Sequence, residues 1–116
     1  MREALKARTR RFAVDVFTFC NSLPDQPQCW VIGKQLMRSA SSVGANYRAA
    51  CRAPSRAAFV AKMAVVEEEA DESLFWMEIL VDLRIVARAD VAKLMQESSE
   101  LLTIAAASKK TARRNG

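Results

Sequence analysis

The chain has 116 residues, 51% of them apolar and 27% charged, and 18 basic against 13 acidic side chains leave a net charge of +5. That length gives room for one domain with one core. The longest apolar-rich run, Leu74 to Val86, is interrupted by Glu78, Asp82 and Arg84, so nothing approaches the roughly 20 apolar residues that span a bilayer. Without histidine, and with Cys20, Cys29 and Cys51 in no CxxC spacing, a zinc centre and a histidine-activated nucleophile are both excluded.

The start, Met1-Arg2-Glu3-Ala4-Leu5-Lys6, has no apolar run behind its charges, so no signal peptide is expected and the location expected is cytoplasmic. Three glycines and three prolines in a chain rich in Ala, Glu, Arg, Leu and Met predict helices, with the breakers marking joints. The first helix is expected at about 3–22. Leu5, Phe12, Ala13, Val16, Phe17, Cys20 and Leu23 recur along it at three- and four-residue steps, the mark of one buried face. Leu23-Pro24-Asp25-Gln26-Pro27 ends it.

The second helix is expected at about 28–51, with Cys29 or Trp30, Gly33, Leu36, Ala40, Val43, Tyr47 and Ala50 inward. Ser39, Ser41, Ser42, Gly44 and Ala45 around that stripe allow a neighbouring backbone to come close. Pro54 and Ser55 form the next joint, Ser55 as N-cap, and the third helix is expected at about 55–87. The fourth is expected at about 90–108 with Asp90 as its cap and Val91, Leu94, Met95, Ser98, Leu101, Leu102 and Ala105 inward, fraying into a basic tail at 109–116. Long helices with short joints predict an all-α, antiparallel up-down-up-down four-helix bundle. The three cysteines read as reduced small apolar side chains.

Two features predict that the bundle is not solitary. Leu74, Met77 and Val81 serve the core, which leaves Phe75, Trp76, Ile79, Leu83 and Val86 on a neighbouring face as a candidate subunit interface. Charge is also segregated. Residues 26–66 hold Lys34, Arg38, Arg48, Arg52, Arg56 and Lys62 without an acid, and residues 67–83 hold Glu67, Glu68, Glu69, Asp71, Glu72, Glu78 and Asp82 without a base. Opposite patches on one subunit suit head-to-tail contacts that close into a ring.

The segment Arg38-Ser39-Ala40-Ser41-Ser42-Val43-Gly44-Ala45-Asn46 resembles the most characteristic stretch of the bacterial four helix bundle protein family, whose first described members are encoded in intervening sequences of large-subunit ribosomal RNA genes and which is also called ribosomal-protein-like. The likeness continues through Ser55-Arg56-Ala57-Ala58-Phe59 and Glu67-Glu68-Glu69-Ala70-Asp71-Glu72-Ser73-Leu74-Phe75-Trp76, and spans roughly residues 10–105. It implies a bundle that assembles as a ring, typically a homopentamer. A related group looks like the accessory proteins of diversity-generating retroelements, basic rings that bind nucleic acid and a reverse transcriptase. Many relatives carry an acid shortly after the Asn, where this chain has Tyr47-Arg48 and then Arg52.

Arg38, Ser42 and Asn46 lie along one edge of the second helix at i, i+4 and i+8, and the hairpin places Arg38 level with about Glu68 and Glu69. With Glu67, Glu68 and Asp71 they read chiefly as polar contacts joining helices or subunits. No catalytic residue, metal ligand or cofactor is expected. The positive charge without an opposing acid gathers at one end: Arg48, Arg52, Arg56 and Lys62, joined from the termini by Arg2, Lys6, Arg113 and Arg114. The expected function is a non-enzymatic oligomer that holds RNA or DNA by its backbone through this end. The alternative is a protein–protein adaptor with no nucleic-acid role.

Overall fold

Proline and serine open the helices where the sequence places them. Pro27 stands in the first turn of α2 (Pro27–Cys51), where its missing N–H would have had no helical partner. Ser55 caps α3 (Arg56–Asp82), its hydroxyl accepting from the Ala58 amide at 3.1 Å. With α1 (Arg2–Cys20) and α4 (Arg88–Arg114) these make up the fold. The computed structural model describes residues 1–115, which contain no strand.

Four helix ends differ from expectation. α1 stops at Cys20, with residues 21 and 22 in a turn. α3 stops at Asp82 although neither glycine nor proline follows. Arg84 takes a left-handed φ of 60°; the Ile85 amide reaches back to the Leu80 carbonyl at 3.0 Å and the Arg84 amide to Val81 at 2.9 Å. This pair of bonds is a Schellman cap. It folds Ile85 and Val86 onto the core, and their burial outweighs the roughly 1–2 kcal/mol of a left-handed arginine. α4 starts at Arg88 behind Ala87, so Asp90 lies in its first turn rather than at the cap. It continues to Arg114, so the expected basic tail is helix: i,i+4 bonding carries on through Lys109 to Arg114.

Cross-helix bonds fix an antiparallel register throughout. The Cys20 thiol faces the Gly33 carbonyl, Arg38 meets Glu69 and Glu72, and Lys109 meets Glu67. At mid-height lies a buried polar layer. The Ser39 and Ser73 hydroxyls are 2.8 Å apart, and Ser98 donates to the Ala70 carbonyl at 2.6 Å. All three serines are fully buried. Above and below it Phe12, Val16, Leu36, Val43, Met63, Met77, Leu80 and Leu101 fill the core. At Gly44 a Cβ would come 3.4 Å from the Thr9 carbonyl oxygen, so α1 and α2 meet backbone to backbone there.

Phe17, read as inward-facing, is 45% exposed, and of the two alternatives at the start of the α2 stripe Cys29 is buried while Trp30 is 59% exposed. Thr9, with its hydroxyl on the Lys6 carbonyl at 3.1 Å, is buried in place of an apolar residue. Trp76, Ile79 and Val86, expected on a subunit face, are half-buried against this chain's own core. The α3 surplus is therefore smaller than the composition of that helix suggests.

Replacing Arg84 by Gly should raise stability by about 0.5–1 kcal/mol, since glycine takes the left-handed conformation without the steric cost. Urea midpoints of the two proteins at equal slope measure this; an unchanged or lower midpoint for Arg84→Gly means that the turn is not strained.

Candidate nucleic-acid interface

Most cross-helix ion pairs lie on the bundle's flanks and consume cations that would otherwise count toward a basic surface. Arg8 forks onto Glu97, both bonds 2.7 Å, and also reaches Glu100 at 2.8 Å, closing α1 against α4. Arg38 bonds Glu69 at 3.0 Å and Glu72, closing α2 against α3. Lys109 bonds Glu67 at 2.6 Å, closing α3 against α4. Burial pushes the Glu72 carboxyl up, but donors from Arg38 and Trp76 outweigh it and hold it below the usual carboxylate value. The Arg8 guanidinium is pushed above its ordinary value by the Glu97 bond. Arg8 was legible only as one of several N-terminal cations, because its partners are far away in sequence.

The polar motif on α2 divides in two. Arg38 makes the expected bridge, displaced toward Glu72. Asn46 bonds the Ser42 carbonyl and hydroxyl at 2.9 and 2.8 Å, within its own helix. Glu67 pairs with α4, while Glu68 and Asp71 are exposed and form no ion pair among the described residues.

Arg48, Arg52, Arg56, Lys62, Arg113 and Arg114 are exposed and unpaired by any acid among the described residues, all toward the end that carries the α2–α3 joint and both termini. Arg2 is engaged. Its guanidinium lies 5.7 Å from the Phe59 ring and bonds the Cys51 carbonyl at 3.3 Å, tying α1 to the next hairpin. Lys6 pairs with Glu3 at 3.0 Å. Lys6, Arg10, Arg48 and Arg52 wall a groove of about 590 Å³ along the α1–α2 seam, with Ala7, Ala13, Ser41, Gly44 and Ala45 as its floor and Glu3 as its one acid. The small residues make the floor: the close approach at Gly44 brings the helices together and leaves no bulky side chain above them. Arg10 was not among the predicted contacts; its i+4 spacing from Lys6 was the signal for it.

A second hollow of about 220 Å³ lies farther along the same seam, lined by Cys20, Asp25, Trp30, Lys34 and Met37 among others. The Trp30 indole N–H donates to Asp25 at 2.7 Å, which pins an exposed ring. Burial pushes the Cys20 thiol up to about 11, and all three cysteines are free. Among the described residues, no three Cys, Asp or Glu side chains gather as metal ligands, and no helix is long and apolar enough to cross a membrane.

The flank between α2 and α3 is different. Phe75 and Leu83, two of the five interface candidates, are 49% and 48% exposed. The Ser39–Ser73 pair sets Val31 level with the end of α3, and Val31 is 61% exposed.

The model of the 23S rRNA-intervening sequence proteins matches residues 4–107, the whole bundle short of the last basic turns. A solved structure from Bacteroides thetaiotaomicron, of a protein with unknown function from the S23 ribosomal protein family, has a TM-score of 0.84. It is 30% identical, covering 90% of this chain and 97% of its own. No curated protein matches the chain.

Arg38→Ala should cost about 1 kcal/mol at pH 7, the pair being partly exposed. Because the Glu72 carboxyl lies below 4.5 in the fold, its contribution is present above that pH and is lost as pH falls through the folded value. Urea midpoints measured from pH 7 to pH 3 should therefore converge for the two proteins; a cost constant across that range contradicts the bridge.

Proposed function

The chain belongs to the 23S rRNA-intervening sequence protein family, and from that premise we propose that it is a non-enzymatic, self-associating bundle that holds nucleic acid by its phosphate backbone. The observation that carries the reading is the disposition of charge. Acids neutralise cations along the flanks, while Arg48, Arg52 and Arg56 stand at one end and form no ion pair among the described residues. Unopposed cations close together raise the local potential for a polyanion and release its counterions on contact.

The non-enzymatic part of the reading is supported by the lack of histidine and by the state of the nucleophiles. Ser39, Ser73 and Ser98 are buried in bonds to helix carbonyls or to one another, and the Cys20 thiol is shifted away from ionisation. Self-association is supported by the exposed Val31, Phe75 and Leu83. On α3, Phe75 is spaced with Glu68, Asp71, Glu78 and Asp82 at three- and four-residue steps, an acidic rim around an apolar centre. A second copy, basic where this face is acidic, fits such a surface. The family resemblance favours a ring of five, which would repeat the basic end around an axis, in a protein working in the cytoplasm.

Titrating a labelled RNA at two salt concentrations tests the binding. The Arg48→Ala, Arg52→Ala, Arg56→Ala triple variant should bind more weakly and lower the slope of log affinity against log salt by roughly 2 for a single strand. Binding that ignores the triple variant, or none at low salt, overturns the reading. Phe75→Asp with Leu83→Asp should shift the chain to monomer in light scattering; a native chain already monomeric at micromolar concentration removes the self-association.

A further inference from the structure

The two hollows lie end to end on one seam. On α2 the positions that line them, from Trp30 and Lys34 through Met37 and Ser41 to Arg48 and Arg52, advance by three, four or seven residues, so they share one helical face. On α1, Arg10 and Ala13 line the basic groove and Cys20 lines the second hollow. Phe17, four residues after Ala13, therefore stands between the two and is 45% exposed.

From this we infer that the α1–α2 seam is a track for single-stranded nucleic acid. Arg10, Arg48, Arg52 and Lys34 hold the backbone, and Phe17 and Trp30 offer ring faces to unstacked bases. The inference rests on the backbone-binding reading above and narrows it to one form of nucleic acid. Arg48 and Lys34 are about 21 Å apart along α2 at 1.5 Å per residue, a length of several nucleotides. The acids near the track are engaged: Glu3 by Lys6, and Asp25 by the Trp30 indole. That second bond holds the ring edge-on at its nitrogen and leaves a face free. Cations interleaved with exposed aromatics along a groove select single strands, because a duplex keeps its base faces stacked away from the protein.

The test uses the full chain, a labelled 20-nucleotide single strand of RNA or DNA, and the same sequence as a duplex, at low salt. The single strand should bind more tightly than the duplex. Trp30→Ala and Phe17→Ala should each weaken single-strand binding about tenfold and leave the duplex unchanged, and Trp30→Phe should restore most of the loss. Both rings are exposed, and circular dichroism should show the variants folded. Equal affinity for both forms, or no effect of the ring variants while the triple arginine variant lowers all binding, overturns the track and leaves backbone binding standing. No effect of the arginine variant on any strand removes both. Binding of poly-glutamate that the strand cannot displace also overturns the track, in favour of an acidic protein.

Discussion

Three buried hydroxyls hold the register on which every surface of the bundle depends. Ser39 and Ser73 face each other across α2 and α3, and Ser98 donates from α4 to a carbonyl of α3. A polar group in a dry core costs free energy unless it is bonded, and here every buried side-chain oxygen and nitrogen among the described residues has a partner. Sliding α2 by one turn against α3 would part Ser39 from Ser73 and leave Arg38 only one of its two carboxylates, Glu69 and Glu72 being themselves about a turn apart. The serines are also small. They let the three helices approach closely, so the polar layer and the close packing come from the same residues.

The register in turn sorts the charges. Arg8, Arg38 and Lys109 each find carboxylates on the next helix, so the acidic run of α3 is partly spent in cross-helix bonds. Of the cations without an ion pair among the described residues, Arg48, Arg52, Arg56, Lys62, Arg113 and Arg114 gather toward the α2–α3 joint and Arg10 and Lys34 line the α1–α2 seam, while Arg84, Arg88 and Lys93 lie toward the α3–α4 joint. The seam is open because Gly44 admits the backbone of α1 and the flanking residues are alanine and serine. A basic surface thus results from subtraction as much as from placement: cations are spread over the sequence, and the fold decides which of them keep an unopposed charge.

The apolar surplus of α3 is resolved in two ways. The cap at Arg84 turns Ile85 and Val86 back over the core, and Trp76 and Ile79 pack beside them. Phe75 and Leu83 keep about half of their surface exposed, and Phe75 stands edge-on to the Trp76 ring at 5.1 Å between centroids. The exposed aromatics therefore occupy two separate flanks, α2–α3 and α1–α2, with different chemistry around each.

The four helices, their antiparallel order and most of the inward stripe of α2 and α4 are legible in the residues alone, because helical periodicity and the Pro24, Pro27 and Pro54 joints are local signals. The sequence also reveals the family through the run from Arg38 to Asn46, and the pairing of helix two with helix three, since a short hairpin lets residue counts stand for height. It left the ends of α3 and α4 to the fold: burial of Ile85 overrode the helical propensity of Arg84, and neither glycine nor proline stands between Ser108 and Arg114 to stop α4. It misread Phe17 and left Cys29 or Trp30 open, because both positions sit at the edge of the stripe, where a rotation of one position decides between core and solvent. Counting along the hairpins brings Arg38 and Lys109 level with the acidic run of α3, where they pair, but that Arg8 pairs with Glu97 and Glu100, and that Lys6, Arg10, Arg48 and Arg52 share one groove, depends on the folded packing. Charge pairing across helices distant in sequence is a property of distances, and sequence spacing carries distance only within one helix or across one short turn.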